Sequence, residues 1–280
     1  MKKSRKIRIK KIVYQILALL LTFFLLLPIY QAVITALRPE NIPWTSPMPL
    51  IPFKITLDNF PSAFTEVSRL PIYLFNSFIY GLGVSLLSIG IAIPAGYSMA
   101  RFRFVMRKPL MVFVIYANMF APIMLLVPIY VVMRAFGLIN TYFSVILAGS
   151  IFTIPLSTWL MVSYMQTIPK EIEEAAMVDG CSEYSALYRI IIPIISPALV
   201  ATFMYAFITG WSQQFILSLV LINSNHLMPI TQGLYMFFSK SSVDWNRLMA
   251  AILVSLSIPV ILFLIFQKYI VKGLTSGSIK

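Results

Sequence analysis

Six long apolar stretches, separated by short polar ones, set the pattern of this chain. They cover residues 12–37, 72–99, 109–133, 141–164, 194–222 and 248–266, and none contains Asp, Glu, Lys or Arg. As a helix the first would rise about 39 Å, enough to cross a hydrocarbon layer of about 30 Å with some tilt. A cleaved signal peptide does not fit, because the apolar run is too long and no small-x-small site follows it. The pattern predicts an all-α, polytopic membrane protein with six transmembrane helices.

The polar stretches carry their own signals. Residues 38–71 hold Pro39, Pro43, Pro47, Pro49, Pro52, Pro61 and Pro71, with Trp44 among them. That spacing forbids a long helix and suggests an interfacial loop on the outer side. Only residues 56–64 within it have the pattern of a short surface helix. The second apolar segment is rich in Gly, Ser and Ala, which let membrane helices approach closely. The third carries Pro122 and Pro128, tolerated where neighbours satisfy the freed backbone groups. Residues 223–245 form a second polar loop on the outer side.

Composition agrees with the pattern. Of 280 residues, 59% are hydrophobic and 11% charged, and the mean hydropathy is +0.87. The net charge of +13 suggests nucleic acid only until the charges are placed. Of 22 Lys and Arg, 16 fall in the N-terminus, the 101–108 loop, the 168–193 loop and the C-terminal tail, all on one side of the predicted membrane. The positive-inside rule puts that side, with both termini, in the cytoplasm. The basic excess is topological, and nucleic acid is not expected as a partner.

Several chemistries are missing. One Cys (Cys181) and one His (His226) build neither a disulfide framework nor a Cys/His zinc site within the chain. No phosphate-binding G-x-x-x-x-G-K-[ST] run occurs, so the chain does not bind ATP in that way. No Ser/His/Asp set is credible, and the chain is not expected to be an enzyme. Charge-free segments argue against proton coupling, although sodium coupling through backbone carbonyls stays open.

The stretch 168–193 is the most informative. It holds Glu171, Glu173, Glu174, Asp179 and Glu183, five of the nine acidic residues. Pro169 suits a first helical turn, and the three glutamates then lie near the positive end of the helix dipole. Gly180 suits a C-cap, Ser182 an N-cap, and Pro193 a helix end. The pattern predicts helix, tight turn, helix outside the membrane.

Within it, Glu174-Ala175-Ala176, Gly180, Ile190, Ile192 and Pro193 fall at the spacing of the EAA loop. The stretch resembles that loop of ABC importer permeases, with Ile192 where leucine is usual. Asn76-Ser77, residues 95–101 and residues 273–277 resemble the carbohydrate subgroup, and the chain is similar to the small permease of maltose-type importers. The resemblance implies a coupling loop (Glu171, Glu174, Ala175, Ala176, Asp179, Gly180, Ile190 and Pro193). It implies as partners a homologous second permease, two ATPase subunits and an extracytoplasmic solute-binding protein. ATP and Mg would sit on the ATPases, with no cofactor on this chain, in a bacterial cytoplasmic membrane. The implied organisation is residues 1–71 (tail, first helix, outer loop), a permease core 72–271 with its coupling loop at 168–193, and a tail 272–280. Glu174 would offer a carboxylate to a basic partner, and the two alanines would allow close approach. The 223–245 loop resembles one that reaches toward the binding protein.

For solute contact, Trp211, Gln213 and Gln214 form a polar cluster in the fifth segment, and Asn118 is similar in the third. Aromatic faces and amides suit sugar hydroxyls, and the same residues suit interhelical hydrogen bonds. Alternatives to a sugar importer are an importer of another solute and a secondary carrier.

Overall fold

The computed structural model describes residues 2–40, 54–67, 69–117, 119, 121–239 and 243–276. The described residues are predominantly helical. In order the helices are α1 (Lys2–Ala36), α2 (Asn59–Glu66), α3 (Leu70–Arg101), α4 (Arg107–Ala117), α5 (Leu126–Ala135), α6 (Tyr142–Gln166), α7 (Glu171–Val178), α8 (Glu183–Ala186), α9 (Ile192–Ile194), α10 (Ser196–Leu221), α11 (Ile230–Tyr235) and α12 (Trp245–Ser276).

Five helices among the described residues are long and apolar enough to cross a membrane: α1 from Lys10, α3, α6, α10 and α12. The stretch 109–133, expected as one helix, is not continuous. It is divided into α4, a 3₁₀ turn Pro122–Leu125 and α5. Two prolines explain the division. Pro122 opens the 3₁₀ turn, and Pro128 falls in the first turn of α5, where no backbone N–H is needed. At the C-terminal end α12 runs on to Ser276, so residues 272–276 of the expected tail are helical.

The chain divides into two compact units, residues 1–68 with 236–255, and residues 69–235 with 256–280. In the first unit Asn59 ties α2 to the end of α1, its Nδ2 donating to the carbonyls of Ala36 and Arg38 at 2.7 Å each. Arg247 in the first turns of α12 pairs with Glu66, Asp244 and Glu40. Most of α1 between Lys10 and Tyr30 is exposed.

The second unit is built on α3, α6 and α10. In lipid these helices gain nothing by leaving water, so close packing and interhelical hydrogen bonds must hold them. Both are present. A Cβ on Gly96 of α3 would lie 2.6 Å from the Cβ of Met161 on α6, so only glycine permits this approach. Between the same helices Ser88 and Thr153 share a buried 2.5 Å hydrogen bond. Toward the Arg101 end of α3, Ala92, Tyr97, Met161, Met165, Leu187 and Ile191 form one apolar cluster. Toward the Asn76 end, Tyr80, Ile129, Phe152, Leu217 and Leu221 form another.

The Asn76 end also carries a polar network. Asn76 Nδ2 donates to the carbonyls of His226 and Met228 at 2.8 and 2.9 Å, and Tyr80 donates to Leu227 at 2.7 Å. Asn140, at φ +63°, accepts from the backbone N–H groups of Asn223 and Ser224. The 223–230 segment is thereby sewn to α3 and to Asn140, two residues before α6.

Candidate functional site: a helix-turn-helix anchored on α3

The stretch 168–193 folds as two short helices about a tight turn. Lys170 precedes α7, and Glu171, Glu173 and Glu174 occupy its first turn, where carboxylates favour the dipole. Pro169 stands two residues before α7, outside its first turn. At the other end Gly180 N–H donates to Met177 and Cys181 N–H to Ala176, both at 3.0 Å. That is a Schellman cap, and Gly180 sits at φ +89°, a conformation that side chains with a Cβ resist. Ser182 caps α8 by accepting from Ser185 N–H at 3.2 Å.

After α8 the helix does not end at Pro193. A wider π turn, Leu187–Ile191, leads into α9, and α10 begins at Ser196. A π turn lengthens one loop of helix by a residue, and such turns gather at functional places. Here it joins the short helices to a membrane-length one.

Burial sorts the predicted residues into two sets. Glu171, Glu174, Ala175, Asp179, Gly180 and Pro193 are exposed, and Ile190 is half-buried. Ala176 is buried within the chain itself, so only Ala175 of the pair faces outward. Around the exposed set lie Ile172, Met177, Val178, Tyr184 and Tyr188, and Val178 is 88% exposed. The rings of Tyr184 and Tyr188 stand 5.1 Å apart. A hydrogen bond with Tyr184 pushes the Tyr188 phenol above its ordinary value. The face is apolar with an acidic rim.

Three residues central to this site escape sequence reasoning. Glu173 is buried, and Arg101, from the last turn of α3, donates to its Oε1 through Nε at 2.5 Å and approaches it through Nη2 at 2.5 Å. Tyr97 donates to the other carboxylate oxygen at 3.2 Å. Arg101 Nη2 also donates to the Ile168 carbonyl at 3.1 Å. The side chains of Arg101 and Glu173 are 8% and 9% exposed. Residues 95–101 stand out in the sequence only as a subgroup mark, and no local pattern pairs positions 101 and 173.

Three of the solute-path candidates, Trp211, Gln213 and Gln214, lie within one turn of α10. Trp211 is buried in an aromatic row along α10, 5.8 Å from the Phe207 ring, which lies 6.3 Å from Phe203. Gln214 is buried, and its Nε2 donates to the Trp211 carbonyl at 2.7 Å. The Oε1 atoms of Gln213 and Gln214 are buried with no hydrogen-bond partner in the described chain. Asn118 lies outside the described residues.

Residues 92–276 match the family of binding-protein-dependent transport system inner membrane components, and the chain belongs to it. It is therefore a multi-pass component of a cytoplasmic membrane. Among curated proteins it is 32% identical to the trehalose/maltose transport system permease protein MalG of Thermococcus litoralis, covering 97% of this chain and 98% of that one. It is 31% identical to the sulfoquinovosyl glycerol permease SmoH of Agrobacterium fabrum, over 91% of this chain and 89% of the relative. It is also 31% identical to the diacetylchitobiose uptake permease DasC of Streptomyces coelicolor, over 94% and 95%. A chain from the crystal structure of a bacterial ABC transporter that imports alginate shares the fold. The TM-score is 0.76 at 20% identity, covering 94% of this chain and 97% of that one.

Proposed function

We propose that this chain is a permease subunit of an ATP-binding-cassette importer. With a homologous permease it would form the path for a sugar or oligosaccharide delivered by a solute-binding protein. Two separate ATPase subunits, carrying ATP and Mg, would drive the alternation of access; this chain would bind neither. The observation that carries the reading is the family match over residues 92–276. The names of the sugar-transporting relatives favour a carbohydrate over another solute.

In this reading both termini and the α7–α8 turn face the cytoplasm. The sixth crossing is made in pieces by α4, the Pro122 turn and α5, whose helical rise totals about 40 Å. The exposed face of α7 and α8 docks the ATPase, with Glu174 toward a basic group and Ala175 and Val178 packed on apolar surface. Gln213, Gln214, Trp211 and Asn118 are the candidates for the solute path. The buried side-chain carbonyls of the two glutamines, unanswered among the described residues, support that role for the amides.

The test is purification from native membranes in mild detergent, with mass spectrometry of what comes along. The wild type should bring an ATPase and a second permease. Val178→Asp and Glu174→Lys, both exposed, should lose the ATPase and keep the permease. A wild-type chain that arrives alone and transports in liposomes without ATP would be a secondary carrier instead.

A further inference from the structure

We infer that the buried Arg101–Glu173 pair, completed by the Tyr97 hydroxyl, is the strut through which movement of α7 is delivered to α3. The inference rests on the proposed coupling of α7 to an ATPase. It adds to that reading a specific load path and names the residues that carry it.

The geometry begins with how little else holds α7. Of its eight residues only Glu173 and Ala176 are buried. Ala176 offers a single methyl, whereas Glu173 meets two donors on α3 through both carboxylate oxygens. The guanidinium is planar and forked, so it fixes orientation as well as distance. Its Nη2 also holds the Ile168 carbonyl, just beyond the end of α6. One side chain therefore clamps the turn that enters α7 and the first turn of α7 itself. Buried charges lose water, and separating them leaves each uncompensated. The link is stiff for that reason.

The far side of the strut is equally stiff. Tyr97 and Arg101 follow Gly96, where α3 touches α6 too closely to admit a Cβ. A push at Glu173 thus enters the last turn of α3, just beyond a close contact with α6. From Arg101 to Asn76 the helix runs about 38 Å as one continuous element, missing only the backbone hydrogen bond that Pro94 cannot donate. At Asn76, Ser77 and Tyr80 it holds the 226–230 segment by four hydrogen bonds. The same helix therefore grips the coupling turn at one end and the opposite loop at the other.

The experiment uses the complete complex in lipid nanodiscs, with ATP and vanadate as the probe, and reads hydrogen exchange at residues 171–178 and 223–230. The wild type should respond at both. Glu173→Gln should keep its ATPase and its response at 171–178. Its response at 223–230 should fall about fivefold, within the range carried by coupling positions. Exchanging the charges, Arg101→Glu with Glu173→Arg, should restore part of it, and Tyr97→Phe should weaken it without loss of the ATPase.

A Glu173→Gln complex that responds at 223–230 as the wild type does would overturn the strut. So would loss of the ATPase from Glu173→Gln beside a Tyr97→Phe complex that responds normally, since the pair would then only seat the loop. A wild-type complex that contains no ATPase would defeat the importer reading and the strut with it. Those results are distinguishable from one another.

Discussion

Tyr142 donates a 2.6 Å hydrogen bond to Oδ1 of Asn76, whose amide nitrogen in turn holds the carbonyls of His226 and Met228. One buried amide thus joins the second turn of α3 and the first turn of α6 to the 223–230 segment. Each bond contributes about 1 kcal/mol net, and a buried group left without its partner costs about 1–3 kcal/mol. Asn76→Ala should therefore cost about 3 kcal/mol, and Tyr142→Phe about 1 kcal/mol. Thermal unfolding in detergent measures both. The double variant should fall short of the sum, because the two share one bond.

Gly180 lies at φ +89° with open space where a Cβ would go. Its requirement is conformational and not steric. Gly180→Ala should cost about 1–2 kcal/mol, the usual strain of a left-handed residue with a Cβ. Gly180→Asn should cost less, because asparagine tolerates that region. Limited proteolysis at residues 178–183 should rank the turn Gly, Asn, Ala in falling resistance. Equal resistance of all three would mean that the Schellman cap does not hold the turn.

Long apolar stretches are legible because a membrane helix needs about 20 such residues in a row. Thus α3, α6 and α10 lie close to the predicted segments. The turn at Gly180 and the cap at Ser182 are legible because their causes are local. The division of 109–133 is harder: Pro122 and Pro128 were visible, but whether neighbours repair a proline depends on tertiary contacts. The inward turn of Ala176 depends on the phase at which α7 meets the rest, which a short motif does not state. The Arg101–Glu173 pair joins positions 72 residues apart, and its meaning lies in burial, which no spacing reveals.

Gly96 and Gly90 make opposite predictions on one helix. A Cβ at Gly96 would meet Met161 Cβ at 2.6 Å and the Met161 carbonyl carbon at 3.3 Å. Gly96→Ala should cost about 1–3 kcal/mol by overpacking. Met161→Ala should not relieve it, because alanine keeps the offending Cβ. At Gly90 nothing lies within 4 Å, and Gly90→Ala should stabilise by about 0.4–1 kcal/mol. Unfolding of the variants in the same detergent compares them directly. Equal losses at both positions would contradict the close α3–α6 contact.

Gln214 separates stability from function. Its Nε2 is satisfied by the Trp211 carbonyl, but its Oε1 is buried with no partner in the described chain. An unanswered buried acceptor is a cost, about 1–3 kcal/mol, which an apolar side chain of similar shape removes. Gln214→Met should therefore leave thermal stability unchanged or raise it. If the amide serves the solute path, the same variant in the assembled importer should lower uptake of the substrate while ATP-dependent assembly stays intact. Higher stability with full uptake would make Gln214 a tolerated defect in packing. A large loss of stability would mean that Oε1 has a structural partner in the complex, and it would point to the second permease as the source of that donor.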